Sequence, residues 1–270
     1  MYQTALPFSE KMPDARVLMS DEPEMESSLH YFQLLLLVTS LEWYWREKND
    51  YFIGANLTIY FSRQQLKNRD FRGLDFFLVN GVSGHPRASW VVWEEDGQYP
   101  NLIIELLSES TENVDRGIKK QLYQDRFRTP EYFWFAPDSL EFMGYRLVGH
   151  NYQEIPLTDT NKRWSEELEL YLGVEEGKLR YFMPTGELVP TPHEAALQEI
   201  AIAEQETLRA QQEKHRADQE QFRAEQETLR AEKEKQRAEQ ETLRAEQEKQ
   251  RADALAAHLR SLGINPEEIG

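Results

Sequence analysis

A buried β-strand with a carboxylate in its middle constrains the fold of this chain more than any other feature. Residues 102–107 are apolar except for Glu105, with Pro100-Asn101 before the run and Ser108 after it. A short run rich in Leu and Ile is typical of a strand that is covered on both faces of a sheet. An ionised carboxylate is costly in such a strand unless it is paired or binds a cation, so Glu105 needs a partner.

The sequence after this strand predicts a helix that carries a lysine towards Glu105. Asp115, Lys119 and Tyr123 recur at four-residue spacing, and side chains at this spacing share one face of a helix. A second acid, Asp75, opens another apolar run, LDFFLVN, thirty residues earlier. Two carboxylates on adjacent strands can share a divalent cation, which activates water and neutralises charge on a phosphate. Mg²⁺ suits such a site because it takes few protein carboxylates and keeps its waters.

The same residues also allow a purely structural interpretation. Asp75 can cap a turn, and Glu105 can pair with Lys119 as a buried ion pair without any catalytic role. The apolar stripe of this helix is Val114, Ile118 and Leu122. Lys120 is the weaker candidate for a site lysine because it lies about 200° around the helix from Ile118, whereas Lys119 flanks the stripe. From these residues alone, a catalytic site and a purely structural ion pair are both possible interpretations.

Composition limits the chemistry that is open to the chain. Its sequence contains no cysteine, which excludes disulfides, thiolate catalysis and cysteine-based zinc sites. Together with the apolar stretch 34–41, which is too short to span a bilayer and follows acidic residues, this predicts a cytoplasmic protein with no membrane partner.

The charge balance argues against a large contact with nucleic-acid phosphates. The formal net charge is −17. Residues 1–192 hold 19 Lys and Arg against 30 Asp and Glu, a net charge of −11, and residues 193–270 hold 12 against 18, a net charge of −6. Basic clusters do occur at 63–72 and 116–128, and each is either a local phosphate contact or a solvated mixed-charge surface.

Periodicity divides the chain into a compact mixed α/β domain and a long helical tail. The predicted elements of the domain are a helix over 26–47, strands over 51–61, 74–79, 89–93 and 102–107, a helix over 112–127, a hairpin over 131–148 and further short strands up to 183. A heptad close to AEQETLR then repeats seven times from Ala203 to Arg251, which predicts a helix about 74 Å long. The expected limits are an N-terminal extension at 1–25, the mixed domain at 26–192, the helical tail at 193–262 and a C-terminal end at 263–270.

The heptads leave the pairing of the tail open. One row of the repeat holds the large apolar side chains Leu208, Phe222, Leu229 and Leu243, but the neighbouring row is almost entirely Gln, which makes a poor coiled-coil core. Arg four residues before Glu supports a solitary charged helix instead. A weak coiled coil and a solitary helix are both compatible with this pattern, and a homodimer could form through the tail or through the domain.

Several motifs in this order resemble the Uma-type family of restriction-endonuclease-like proteins in the PD-(D/E)XK nuclease superfamily. The elements that carry the resemblance, within roughly residues 26–183, are Asp75, YPNLIIELLSEST at 99–111, the helix with Asp115, Lys119 and Tyr123, and RTPEYFWFAPD at 128–138. The resemblance implies a mixed sheet flanked by helices. It also implies that Asp75 and Glu105 are metal ligands and catalytic residues, with Lys119 as the superfamily's lysine, moved from the strand to the helix.

The chain departs from the family pattern at three positions, none of which is a candidate ligand. Leu74 stands where the family usually has proline, Asn101 where it usually has aspartate, and Glu109 where it usually has proline. Leu107 occupies the position of the superfamily's strand lysine, so activity depends on the helix lysine taking its role. Glu26 is either an accessory acid of the site or an ordinary first-turn acid favoured by the helix dipole.

These observations predict a metal-dependent DNA endonuclease that hydrolyses phosphodiester bonds, with Mg²⁺ or Mn²⁺ as cofactor. The alternative is a catalytically weak or inactive nuclease-fold protein that binds or scaffolds, with its helical tail mediating assembly. The acidic balance and the altered motifs favour the alternative, whereas the retained Asp75, Glu105 and Lys119 favour the enzyme.

Overall fold

The computed structural model describes residues 18–20, 27–62, 73–108 and 114–263, except for the side chains of 114–116. Three helices occur within these residues: α1 (Ser28–Tyr44), α2 (114–127, π-helical over Val114–Lys119 and Tyr123–Phe127 and α-helical over Lys120–Leu122) and α3 (Pro192–Ser261). The strands are β1 (Tyr51–Tyr60), β2 (Gly73–Asn80), β3 (Trp90–Val91), β4 (Leu102–Leu106), β5 (Glu131–Ala136), β6 (Glu141–Val148), β7 (Asn151–Glu154), β8 (Lys162–Ser165), β9 (Leu170–Glu175) and β10 (Lys178–Phe182).

Seven of the strands form one mixed sheet in the order β3-β1-β2-β4-β5-β6-β7, and the other three form a sheet in the order β10-β9-β8. In the larger sheet β2 is antiparallel to both β1 and β4, whereas β4 and β5 are parallel. Parallel neighbours require a crossover connection, and α2 lies in that connection. The helix that carries the candidate lysine therefore directly follows the strand that carries Glu105.

Different elements cover the two faces of the seven-stranded sheet. On one face Leu37 and Leu41 of α1 share an apolar cluster with Ile104 of β4 and with the three-stranded sheet. On the other face Tyr123 and Phe127 of α2 share a cluster with residues of β2, β4 and β5. Every residue of β4 is buried, as its apolar run predicts.

A buried amide links α1 to the three-stranded sheet. Gln33 donates from Nε2 to the carbonyl oxygen of Leu179 at 3.0 Å, and its Oε1 accepts from the Leu179 amide at 3.1 Å. Leu179 belongs to β10, an edge strand of that sheet. Gln33 therefore satisfies backbone groups that would otherwise be buried without partners.

The third predicted strand, 89–93, is shorter than its sequence suggests. Only Trp90–Val91 forms a strand, because the chain then turns and the Gly97 amide donates to the carbonyl oxygen of Val92 at 2.8 Å. Gly97 has a positive φ of 78°, which glycine adopts without strain. The acids before it, at 94–96, belong to this turn.

The chain divides into two compact units, Met1–Leu197 and Gln198–Gly270. At the start of α3, Thr191 and Glu194 form a capping box: the Glu194 amide donates to Thr191 Oγ1 at 3.2 Å, and the Thr191 amide donates to Glu194 Oε2 at 2.7 Å. Arg180 also donates to both oxygens of Glu194, at 3.0 and 2.6 Å.

The predicted fold class, a mixed sheet flanked by helices and followed by a long helix, is confirmed. Among the described residues, no helix combines the length and apolarity needed to cross a membrane.

Candidate active site

Asp75 and Glu105 lie on the neighbouring strands β2 and β4. The antiparallel register of these strands pairs Phe76 with Ile104, and Asp75 and Glu105 are the next residues along each strand. The Glu105 carboxylate lies on the face that α2 covers, because it accepts hydrogen bonds from Tyr123 and Lys119 of that helix. The Asp75 carboxylate accepts a hydrogen bond from the backbone of β4 at the next residue, Leu106.

Glu105 is fully buried, and both of its oxygens accept hydrogen bonds from α2. The Tyr123 hydroxyl donates to Oε1 at 2.5 Å, and Lys119 Nζ donates to Oε2 at 3.2 Å. The side chains of Glu105 and Lys119 are 0% and 17% exposed, so this ion pair is largely shielded from water. These charge-assisted bonds offset the cost of burying the carboxylate, which the sequence left to be explained.

Lys119 and Asp75 each join β2 to the neighbouring elements at this point. Lys119 Nζ donates to the carbonyl oxygen of Gly73, two residues before Asp75, at 3.3 Å. Asp75 Oδ2 accepts from the amide of Leu106, the residue after Glu105, at 2.7 Å. The structure thus brings the three predicted site residues together, and their catalytic and metal-binding roles stay predictions.

The two adjacent lysines of α2 have different surroundings. Lys119 reaches Glu105, whereas Lys120 Nζ lies 3.3 Å from the centroid of the Tyr145 ring. Burial lowers the pKa of Lys120, and the Glu154 carboxylate opposes this shift. Short π-helical stretches such as those on either side of Lys120 often occur at functional sites.

His30 joins α1 to the strand that carries Glu105, and nothing in its sequence spacing suggested this. It is buried, with Nε2 3.2 Å from the carbonyl oxygen of Leu107 and Nδ1 2.9 Å from Oγ of Ser27. Ser27 is the N-cap of α1, so His30 connects this cap to the end of β4. Tyr123 belongs to the sequence motif, but its hydrogen bond to Glu105 was not expected either.

The donor set at this point fits Mg²⁺. Within the described residues, no group of three or more His, Asp or Glu side chains is arranged to hold a metal ion. The candidate donors are the two carboxylates of Asp75 and Glu105. One or two carboxylates are what Mg²⁺ commonly takes from a protein, with waters and substrate phosphates completing its octahedron.

Several residues considered at the sequence level lie outside the described part of the chain. They are Glu26, Glu109, the basic residues Arg63, Lys67, Arg69 and Arg72, and the side chain of Asp115. The predictions made for them are untested by the structure.

A mixed sheet with two acids on neighbouring strands and a lysine on the following helix defines a restriction-endonuclease-like protein. The model of the family Uma2, described as "Putative restriction endonuclease", matches residues 22–185, more than half of the chain. The chain belongs to the Uma2 family, and the family resemblance predicted from its motifs is confirmed.

One solved structure illustrates a distant likeness. The crystal structure of a putative nuclease belonging to DUF820 from Anabaena variabilis ATCC 29413 matches with a TM-score of 0.40 and 14% sequence identity. The match covers 56% of this chain and 80% of the other. No curated protein matches the chain.

Proposed function

We propose that this protein is a DNA endonuclease that depends on a divalent cation, Mg²⁺ or Mn²⁺, and hydrolyses phosphodiester bonds. The observation that carries the proposal is that Asp75 bonds to the backbone of β4 at the residue after Glu105, while Lys119 bonds to Glu105 itself. Membership of a family of putative restriction endonucleases supports nuclease chemistry. We also propose that the substrate is DNA, that the cofactor is Mg²⁺ or Mn²⁺, and that the protein is cytoplasmic.

The three residues have two roles in this proposal. Asp75 and Glu105 would hold the cation, which when bound would supply an activated water and neutralise charge on the phosphate. Lys119 places a positive charge beside the reacting phosphate. Tyr123 and Lys119 fix the orientation of the Glu105 carboxylate, so the donor does not have to be ordered when a cation arrives.

The test is cleavage of supercoiled plasmid DNA by the purified full-length protein. We expect nicking with Mg²⁺ or Mn²⁺ and none with EDTA, and loss of activity in Asp75→Asn and Glu105→Gln variants whose circular dichroism is unchanged. Lys119→Ala should lose more activity than Lys120→Ala, which is the matched control because it removes the same charge one residue away. Cleavage that persists in EDTA, or equal losses in the two lysine variants, would contradict the assigned roles.

A second function is favoured by the contacts of Glu105 themselves. Both carboxylate oxygens already accept bonds from the chain's own donors, and the net charge of −17 disfavours a large phosphate contact. These features suit a catalytically weak or inactive nuclease fold that acts as a binding or scaffold module. Calorimetric titration with Mn²⁺ separates the two functions, because only the enzyme predicts binding that Asp75→Asn weakens.

A further inference from the structure

The tail helix α3 presents a row of exposed apolar side chains at one position of its heptad. Leu208, Phe222, Leu229 and Leu243 are between 47% and 62% exposed on this helix. With this row at position d of a coiled-coil heptad, position a is almost entirely Gln, and two charged rows flank the seam. Position g holds Glu204, Gln211, Asp218, Glu225, Glu232, Glu239 and Glu246, and position e holds Arg209, Arg216, Arg223, Arg230, Arg237, Arg244 and Arg251.

We propose that α3 pairs with α3 of a second copy of this chain as a parallel, in-register, two-stranded coiled coil. In a parallel pair each g residue of one helix faces the e residue five positions later on the other. From Glu204 facing Arg209 to Glu246 facing Arg251, every such pair joins an acid to an arginine, except that Gln211 faces Arg216. An antiparallel pair would instead place acids against acids and arginines against arginines. The charges therefore select a parallel partner.

The occupant is a second copy because the two charged rows complement each other on one and the same helix. An acidic row and an arginine row on opposite sides of a single seam match an identical helix, whereas a partner of one charge sign would satisfy one row and repel the other. Interhelical pairs of this kind determine partner choice and orientation in coiled coils.

The uneven spacing of the apolar row fixes the register. Position d reads Leu208, His215, Phe222, Leu229, Gln236, Leu243 and Gln250. In register, all four large apolar side chains face their own copies, but a slip of one heptad keeps only the contact between Phe222 and Leu229. His215 and Gln219, at d and a, lie 2.8 Å apart between their Nε2 atoms and form a polar layer in the seam. Polar seam layers cost stability and specify register.

Because the chain has no cysteine, single introduced cysteines report which residues meet. The full-length variants are Gln212→Cys and Gln247→Cys, at position a near either end of the repeat. Their matched controls, Ala210→Cys and Ala245→Cys, lie two residues away on the outer face. Under mild oxidation we expect each seam variant to form a disulfide-linked dimer with itself, and the controls to form few.

Two outcomes overturn the proposal. One is crosslinking only when the two seam variants are mixed, which indicates an antiparallel pair. The other is self-crosslinking no stronger than that of the outer-face controls, which indicates no specific pair. The result does not depend on whether the protein cleaves DNA.

A charge-reversal comparison tests the role of the flanking rows. Changing Arg223, Arg230 and Arg237 together to Glu should raise the dissociation constant of the full-length dimer at least about tenfold in sedimentation experiments. The control changes Lys214, Lys235 and Lys249 to Glu, which alters the net charge equally at a position away from the seam. Equal weakening by both sets, or by neither, would refute charge-selected pairing.

Discussion

Replacing Lys119 by Met should destabilise the folded domain, because it removes the ammonium group that pairs with the buried Glu105 carboxylate. Methionine keeps most of the apolar stem of lysine and removes only the ammonium group. The Nζ–Oε2 distance is 3.2 Å, and Glu105 is 0% exposed. At this distance the attraction is about 5 kcal/mol for an effective dielectric constant of about 20.

The net loss should be smaller than this attraction. The variant lacks the free-energy cost of dehydrating the lysine ammonium on folding, and the Tyr123 hydroxyl still donates to Glu105. Removing one partner of a buried pair typically costs about 3–5 kcal/mol. Because the bond from Tyr123 remains, we expect a loss of about 3 kcal/mol.

Urea unfolding in EDTA, followed by tryptophan fluorescence, measures this loss in the full-length protein. All six tryptophans precede residue 165, so the signal reports the domain rather than the tail. The control is Lys120→Met, which loses a cation–π contact with Tyr145 and an electrostatic interaction with Glu154, and should cost less than about 1 kcal/mol. If the two variants differ by less than about 0.5 kcal/mol, Lys119 is not the counterion of a buried Glu105 in solution.

The same measurement with Mg²⁺ links this prediction to the proposed site. A cation bound by Asp75 and Glu105 would replace the missing positive charge, so added Mg²⁺ should stabilise Lys119→Met more than it stabilises the wild type. Equal stabilisation of both proteins would mean that the ion binds elsewhere or not at all.

Three further predictions concern the rest of the domain and are measured by the same unfolding assay. The hydrogen bonds from Arg180 lower the pKa of Glu194 to about 2, so Glu194→Gln should cost about 1 kcal/mol at pH 7 after allowance for solvent screening. Because the folded-state pKa is depressed, this cost should shrink as the pH falls from about 4.5 towards about 2. Gly54→Ala should cost about 1–3 kcal/mol, since the added Cβ would lie 2.1 Å from the Phe77 ring, and an unchanged midpoint would contradict that packing. A protein truncated after Leu197 should keep its midpoint, and a lower midpoint would show that the tail supports the domain.

The sequence by itself determined the type and order of most elements, because hydrophobic period is a local property. The continuous apolar run predicted β4, and the run around Asp75 predicted β2. The hairpin of β5 and β6 and the long helix α3 likewise follow from strand periodicity and from heptads without proline or glycine. Only the ends of elements moved: the helix predicted over 26–47 is Ser28–Tyr44, where Ser27 provides the N-cap.

The sequence also favoured Lys119 over Lys120 as the lysine near Glu105, and Lys119 does bond to Glu105. The expected buried stripe was wrong at Ile118, which is 61% exposed. The sequence did not identify the contacts of His30 or Gln33, whose partners lie 77 and 146 residues away. A polar side chain that hydrogen-bonds to a backbone group far away in the sequence produces no recognisable pattern in the sequence around it.

Only the tertiary structure decided that Asp75 and Glu105 meet. The two acids are thirty residues apart, and they come near each other because β2 and β4 are neighbours in a register that pairs Phe76 with Ile104. Strand order and register arise from which faces can be buried together, and a shift of one residue would turn Asp75 to the opposite face. The site therefore depends on a pairing choice that no single segment of the chain contains.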